Sequence, residues 1–151
     1  MLIKDIEIEG RYFNGRKTSD GFIYLISIQR LQRRVKPTPW YRLGQTQTHI
    51  NLKSVFLYDG SYNSPVFVNI FAYNLKHPNK DDFGIASIIT ENANTLYMSE
   101  RHIYLTFIDY KRGKDFTVIH KVFVWKREII PFADNSVRGR VNNQFSLDEH
   151  K

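Results

Sequence analysis

The chain has 151 residues, of which 42% are hydrophobic and 15% aromatic, so it can bury a core and is not a disordered polypeptide. It has no cysteine, which excludes disulfide bonds and thiolate metal sites, and 22 Lys and Arg against 15 Asp and Glu give a formal net charge of +7. This excess favours an anionic partner or, more simply, a soluble and mildly basic surface. The 9 Tyr and 11 Phe, together with frequent Ile and Val, predict a mainly β protein.

The first part of the chain has the alternation of β-strands. Residues 2–9 place isoleucines on one face and acidic side chains on the other, which is typical of a half-exposed strand. We interpret it as the outer strand of a preceding sheet. Further strands are predicted at 12–17, 22–29, 66–74 and 83–90.

The N-terminal stretch also bears on targeting. It alternates apolar and charged residues and lacks the continuous apolar region of a signal peptide. No run approaches the roughly 18 apolar residues needed to cross a bilayer. The sequence therefore predicts a soluble chain without a transmembrane segment, an export signal or a cofactor motif.

The strand pattern is lost between residues 30 and 60, and we interpret this stretch as an insertion in which only 55–58 pairs, locally. Its cations occur together with Trp40 and Tyr41 and have no acidic residue among them, so this segment could pair with phosphates and stack on bases or sugars. The candidate polyanion-binding residues are Arg30, Arg33, Arg34, Lys36, Trp40, Tyr41 and Arg42. The simpler interpretation is a solvated loop whose Trp40 folds back on the protein.

The second part of the chain predicts four strands, at 95–99, 102–108, 116–125 and 128–132. The connections are short, and nothing long enough for a helix has apolar residues at spacings of three and four. An antiparallel meander is therefore favoured. Because Pro131 cannot donate a backbone hydrogen bond, its strand should be outermost in the sheet.

An internal repeat relates the two parts. Ile23-Tyr24-Leu25 matches Ile103-Tyr104-Leu105, and the next strands then correspond, 66–73 with 118–125. Gly10-Arg11 likewise precedes one unit as Gly139-Arg140 precedes the next. Four strands in about forty residues is the period of a β-propeller blade.

The repeat predicts an all-β fold, an incomplete β-propeller with about two four-stranded antiparallel blades plus flanking strands. We predict a single β domain over residues 1–151. Its blades are expected at 12–90, with the insertion at 30–60, and at 94–134, and a further blade is expected to begin at 141–151. Closed propellers usually have about 4–8 blades, so we expect a part of a longer propeller. Two isolated blades leave apolar faces and strand edges uncovered, so self-association is also expected.

Several segments resemble archaeal and bacterial proteins that contain a C-terminal β-propeller domain, many of them predicted to be secreted. The resemblance rests on 20–25, 94–99, 118–121 and 139–150, and the run Asn143–His150 is its most specific part. It implies blades from the middle of a longer propeller and an extracytoplasmic or cell-surface location. The family has no established activity, so the resemblance implies a fold and little chemistry.

The titratable residues do not form a recognisable catalytic motif. The five histidines lack the close paired spacing of metal ligands, although His102 and His120 lie on neighbouring predicted strands. The carboxylate pairs Asp81-Asp82 and Asp148-Glu149 are adjacent residues, which point to opposite faces of a strand. The sequence therefore predicts a protein that is not an enzyme.

The predicted function is that of a non-enzymatic interaction scaffold that binds a protein or a glycan. The alternative is polyanion or nucleic-acid binding through residues 30–42. A propeller hydrolase with its acids in the central channel is the least favoured alternative.

Overall fold

The computed structural model describes residues 4–33, 36–58, 62–109, 116–143 and 147. In chain order, the strands are β1 (Ile6–Ile8), β2 (Arg11–Lys17), β3 (Phe22–Arg30), β4 (Trp40–Leu43), β5 (Thr46–His49), β6 (Val55–Leu57), β7 (Pro65–Asn74), β8 (Phe83–Glu91), β9 (Thr95–Met98), β10 (His102–Ile108), β11 (Phe116–Trp125) and β12 (Glu128–Arg138). A 3-10 turn at Leu52–Ser54 is the only helical element among the described residues. The prediction of an all-β fold is confirmed.

The strands form three sheets. A five-stranded sheet has the order β2-β3-β7-β8-β6, a four-stranded sheet has the order β12-β11-β10-β9, and a small sheet has the order β1-β4-β5. The larger two each contain an antiparallel meander of four strands, which is the architecture of a partial β-propeller. Pro131 lies in β12, at the edge of its sheet, as predicted.

The predicted start of a further blade at 141–151 is only partly visible. Residues 141–143 follow β12 without forming a strand, and residues 144–146 and 148–151 lie outside the described residues. The further blade therefore stays a prediction.

Hydrogen-bond register corrects one part of the internal repeat. Ile23 pairs with Tyr73, and the equivalent Ile103 pairs with Val122. Tyr73 therefore corresponds to Val122, whereas the sequence alignment placed it on Trp125, three residues further along. Because β7 and β11 are rich in apolar residues, several registers match equally well in sequence, and only pairing with the neighbouring strand decides between them.

The insertion is more ordered than the sequence predicted. β4 and β5 form a hairpin, and β4 also pairs with β1, with Ile8 opposite Tyr41. β6 does not pair locally, since it lies parallel to β8 with Val55 opposite Ser87. The prediction of local pairing at 55–58 is wrong because these apolar residues find a partner more than thirty positions away in the chain.

The core lies mainly between the two larger sheets. Alternate residues of each central strand belong to it, because successive side chains of a strand point to opposite faces. Fully buried examples are Tyr24, Ile26, Val68, Ile70, Ile88, Ile103, Leu105 and Val122. This packing places one face of the five-stranded sheet against one face of β9–β12.

The opposite face of the five-stranded sheet packs against the small sheet through a buried polar network. The Asn69 amide donates to the Glu9 carbonyl at 3.0 Å and to Ser27 Oγ at 3.2 Å, and Ser87 Oγ donates to Asn69 Oδ1 at 2.7 Å. Each polar group is thereby satisfied without water, so the network fixes how the bend after β1 lies on β3 and β7.

The turn between β11 and β12 fits closely into the five-stranded sheet. The Tyr24 hydroxyl donates to the Lys126 carbonyl at 2.8 Å, and burial raises the pKa of Tyr24 well above its ordinary value. Beside it, a Cβ added to Gly84 would lie 1.8 Å from the Arg127 carbonyl oxygen. The absence of a side chain at Gly84 therefore permits the two sheets to meet at this point.

Candidate interaction surface

The structure divides the predicted polyanion-binding residues into two groups. Arg30 ends β3 and is exposed, and Arg33 and Lys36 are exposed in the segment that follows. Arg34 lies outside the described residues. The remaining three residues, Trp40, Tyr41 and Arg42, belong to β4.

The β4 residues hold the small sheet together and attach it to its neighbour. Arg42 is hydrogen-bonded to the Glu7 carboxylate, and its guanidinium lies 3.8 Å from the Asp5 carboxylate. The Tyr41 ring packs against Phe71 and Phe83, with centroid distances of 6.0 and 5.6 Å. Both residues therefore have a structural role here. The acidic residues beside Arg42 are Glu7 in β1 and Asp5 just before β1, and neither is near Arg42 in the sequence.

Trp40 is half-buried at the start of β4. Its backbone N–H donates to the Glu9 carboxylate at 3.1 Å, and its carbonyl accepts from the Glu9 N–H at 3.0 Å. These bonds attach the Trp40 backbone to the bend after β1. The simpler interpretation of this part of the insertion as a solvated loop is wrong, because Trp40 belongs to a strand. Polyanion binding by the whole set stays a prediction.

A second surface lies on the face of β9–β12 that points away from the five-stranded sheet, which we call the outer face. It carries exposed apolar side chains along β12, where Ile130 is 48%, Phe132 68% and Val137 44% exposed. Aromatic and basic side chains from β9, β10 and β11 share this face: Tyr97, His102, Tyr104, Lys121 and Phe123. The outer face therefore combines exposed apolar area with positive charge.

The cations of the outer face lie over aromatic rings. Lys121 Nζ is 5.5 Å from the centre of the Tyr104 ring and 5.7 Å from that of Phe132. At the end of the same face, the Arg101 guanidinium lies 4.3 Å from the Trp125 ring centre. Such cation–π contacts hold the cations in place on the outer face.

The two histidines on neighbouring strands lie on opposite faces and cannot share a metal ion. His102 is on the outer face, with its ring 5.8 Å from Phe123. His120 points into the core, where its ring stacks on Tyr58 at 3.6 Å and lies 5.0 Å from Phe107. In the part of the chain that the structure describes, no group of three or more His, Asp or Glu side chains could hold a metal ion.

Burial changes the proton affinity of this core pair. Desolvation lowers the pKa of His120 to about 4 and raises the pKa of Tyr58 well above its ordinary value. The Tyr58 hydroxyl donates to the Lys121 carbonyl at 3.0 Å, whereas neither ring nitrogen of His120 has a hydrogen-bond partner among the described residues. His120 is therefore a neutral core residue at pH 7.

Sequence reasoning missed the outer face. The sequence pattern predicts a last strand that ends at Phe132, whereas β12 continues to Arg138 and so includes Val137. A signal was present, because Ile130 and Phe132 are two residues apart and must share a face. Which face is turned away from the core depends on the packing of the sheets, which the sequence pattern does not contain.

Comparison with known proteins supports the fold. The family model described as "Beta propeller domain" matches residues 1–151, the whole chain. Comparison with curated proteins and with solved structures gives no match. Among the described residues, no helix is long and apolar enough to cross a membrane. The secreted and C-terminal setting implied by the resemblance stays a prediction, whereas the fold and the family match agree: the chain belongs to the Beta propeller domain family.

Proposed function

We propose that the chain is a non-enzymatic interaction scaffold that binds a protein partner through the outer face of β9–β12. The observation that supports this most is the exposure of Ile130, Phe132 and Val137 along one edge strand. Exposed apolar patches next to aromatic and basic side chains are typical of surfaces that bind other proteins.

The chemistry of the face favours a particular kind of partner. Lys121 and Arg101 add positive charge beside the apolar side chains, so a partner with apolar anchors and acidic residues would be complementary. A glycan would stack best on rings that are open and flat, whereas Trp125 is covered by a guanidinium and the His102 and Phe123 rings meet edge-on. We therefore favour a protein, and a glycan is an outcome of the experiment.

Photo-cross-linking tests this proposal. A photoreactive phenylalanine analogue at position 132 should cross-link one partner in a host extract, and excess wild-type chain should compete. The matched control places the analogue at Leu57, which is 67% exposed on β6. The double variant I130S/F132S should not compete, because it loses the apolar contact area.

The molecule that is cross-linked at position 132 identifies the kind of partner. Cross-links to a second copy of the chain would identify self-association, and cross-links to a saccharide would identify a glycan. Equal yields at positions 132 and 57, or competition by I130S/F132S that matches wild type, would contradict the proposal.

Polyanion binding is a second candidate, favoured by three cations of the insertion. Arg30, Arg33 and Lys36 are exposed and have no ion pair among the described residues. If they bind phosphates, R33Q/K36Q should weaken binding to a short DNA duplex and make the slope of log K against log salt concentration shallower by about one for each phosphate that is no longer neutralised. R42Q is the control, because Arg42 already pairs with Glu7. Equal affinity and equal salt dependence in the two variants would rule out this role.

A further inference from the structure

A cleft lies at one end of the five-stranded sheet, where β2 begins, β3 ends and β7 begins. Its volume is about 600 Å³, which is within the usual range for small-molecule sites. Two arginines, Arg11 and Arg30, line it together with the polar residues Ser64 and Asn92. The apolar side chains of Ile28 and Val66 complete the wall. We call this the Arg11–Arg30 cleft.

Strand register places both guanidinium groups on the same side of the sheet. Arg11 is opposite Ile28 on β3, and Arg30 lies two residues further along that strand. Residues two apart share a face, so Arg11 and Arg30 are diagonal neighbours, which in antiparallel sheets are typically about 7–8 Å apart. Their long side chains can therefore reach a common ligand.

The two charges are not compensated by the protein. Neither guanidinium has an ion pair or a hydrogen bond within the part of the chain that the structure describes. The Glu91 carboxylate, at the same end of the sheet, accepts hydrogen bonds from the backbone N–H groups of Asn63 at 2.7 Å and Ser64 at 3.1 Å. Two positive charges on one face of the sheet repel one another, and an anion that lies between them would be attracted to both.

The geometry points to an oxyanion site: we infer that the Arg11–Arg30 cleft binds a small organic molecule that carries a carboxylate, phosphate or sulfate group. The planar guanidinium presents paired N–H donors that match two oxygens of such a group. The Ser64 hydroxyl and the Asn92 amide supply further donors, and Ile28 and Val66 offer a surface for an apolar body. None of these residues lies on β12, and Arg30 is the only one of the exposed polyanion candidates named above that lines the cleft, so this site goes beyond both functions proposed above.

Titration of the full chain with phenyl phosphate, phenylacetate and neutral benzyl alcohol tests the inference. Binding is followed by calorimetry and by the amide NMR signals of Ser64 and Asn92. We expect saturable binding of one anion per chain, and the two anionic probes distinguish a phosphate site from a carboxylate site. R11Q and R30Q should each lower the affinity for the anion about tenfold, because each removes charged hydrogen-bond donors. R11K should retain part of the affinity, since it keeps the charge and loses the paired geometry.

The matched control is R138Q, which removes an exposed arginine at the end of β12. Its affinity should equal that of wild type. Both cleft arginines are exposed, so thermal melting of R11Q and R30Q should match wild type and show that weaker binding does not come from unfolding. The inference is overturned if R138Q weakens binding as much as R11Q, or if benzyl alcohol binds as tightly as the anions. It is also overturned if the NMR shifts do not saturate and occur near all the basic residues of the chain. Since the cleft variants leave β12 intact, they do not affect the cross-linking test.

Discussion

Replacing Gly84 with alanine is expected to lower the free energy of unfolding by about 3 kcal/mol or more. The new Cβ would lie 1.8 Å from the Arg127 carbonyl oxygen and 2.6 Å from its carbonyl carbon. These are backbone atoms of the turn between β11 and β12, so they cannot move aside as a flexible side chain can. The two larger sheets would have to separate locally, which also weakens the bond from Tyr24 to Lys126.

Chemical denaturation of G84A and G15A measures this difference. Gly15 also lies in a strand, but a Cβ there would meet the end of the Leu25 side chain at 3.2 Å. Because that side chain can adjust, G15A should cost no more than about 1 kcal/mol. Equal losses in the two variants would show that the close approach at Gly84 does not limit packing.

Acidification should destabilise the protein through His120. The pKa of this histidine is lowered to about 4 in the folded state from an ordinary value of 6.5, because charging it would place an unpaired cation in the core. The unfolded state therefore takes up this proton first as the pH falls. The contribution of His120 is fully present above pH 6.5, declines between pH 6.5 and pH 4, and totals about 3 kcal/mol.

The variant H120F isolates this contribution. Phenylalanine keeps an aromatic ring next to Tyr58 and cannot be protonated, so the difference in unfolding free energy between wild type and H120F should change by about 3 kcal/mol from pH 7 to pH 4. At pH 7 the variant should be at least as stable as wild type, because the ring nitrogens that it removes have no hydrogen-bond partner among the described residues.

The control for the pH series is H77N, which changes an exposed histidine in the turn after β7. Its stability should follow the wild-type pH profile, because the substitution lies on the surface and leaves His120 and its neighbours unchanged. A constant difference between wild type and H120F across the pH range would mean that His120 is protonated as readily in the folded state as in the unfolded state.

Part of the candidate surfaces could be found in the sequence, and part could not. The insertion was visible as a basic segment with aromatic residues, but the sequence did not show that Arg42 pairs with Glu7, which lies opposite it on the adjacent strand β1. Arg11 and Arg30 are nineteen positions apart and became neighbours only through the pairing of β2 with β3. Local composition therefore identified Arg30 as a candidate, but it did not identify Arg11, which lines the same cleft.

The sequence by itself determined the strands of the two meanders, except for the end of β12, together with their antiparallel order and the edge position of β12. Alternating side chains, short turns and Pro131 act locally, so the pattern is readable residue by residue. The tertiary structure alone decided the pairing of β6 with β8, the joining of β1 to the insertion, and the extension of β12 beyond Phe132. Residues 133–136 of β12 are Ala-Asp-Asn-Ser, which have little strand preference of their own, and β11 holds them in the sheet by backbone hydrogen bonds. Such bonds depend on which strand lies alongside, and they are almost independent of side-chain type, so the sequence pattern does not reveal them.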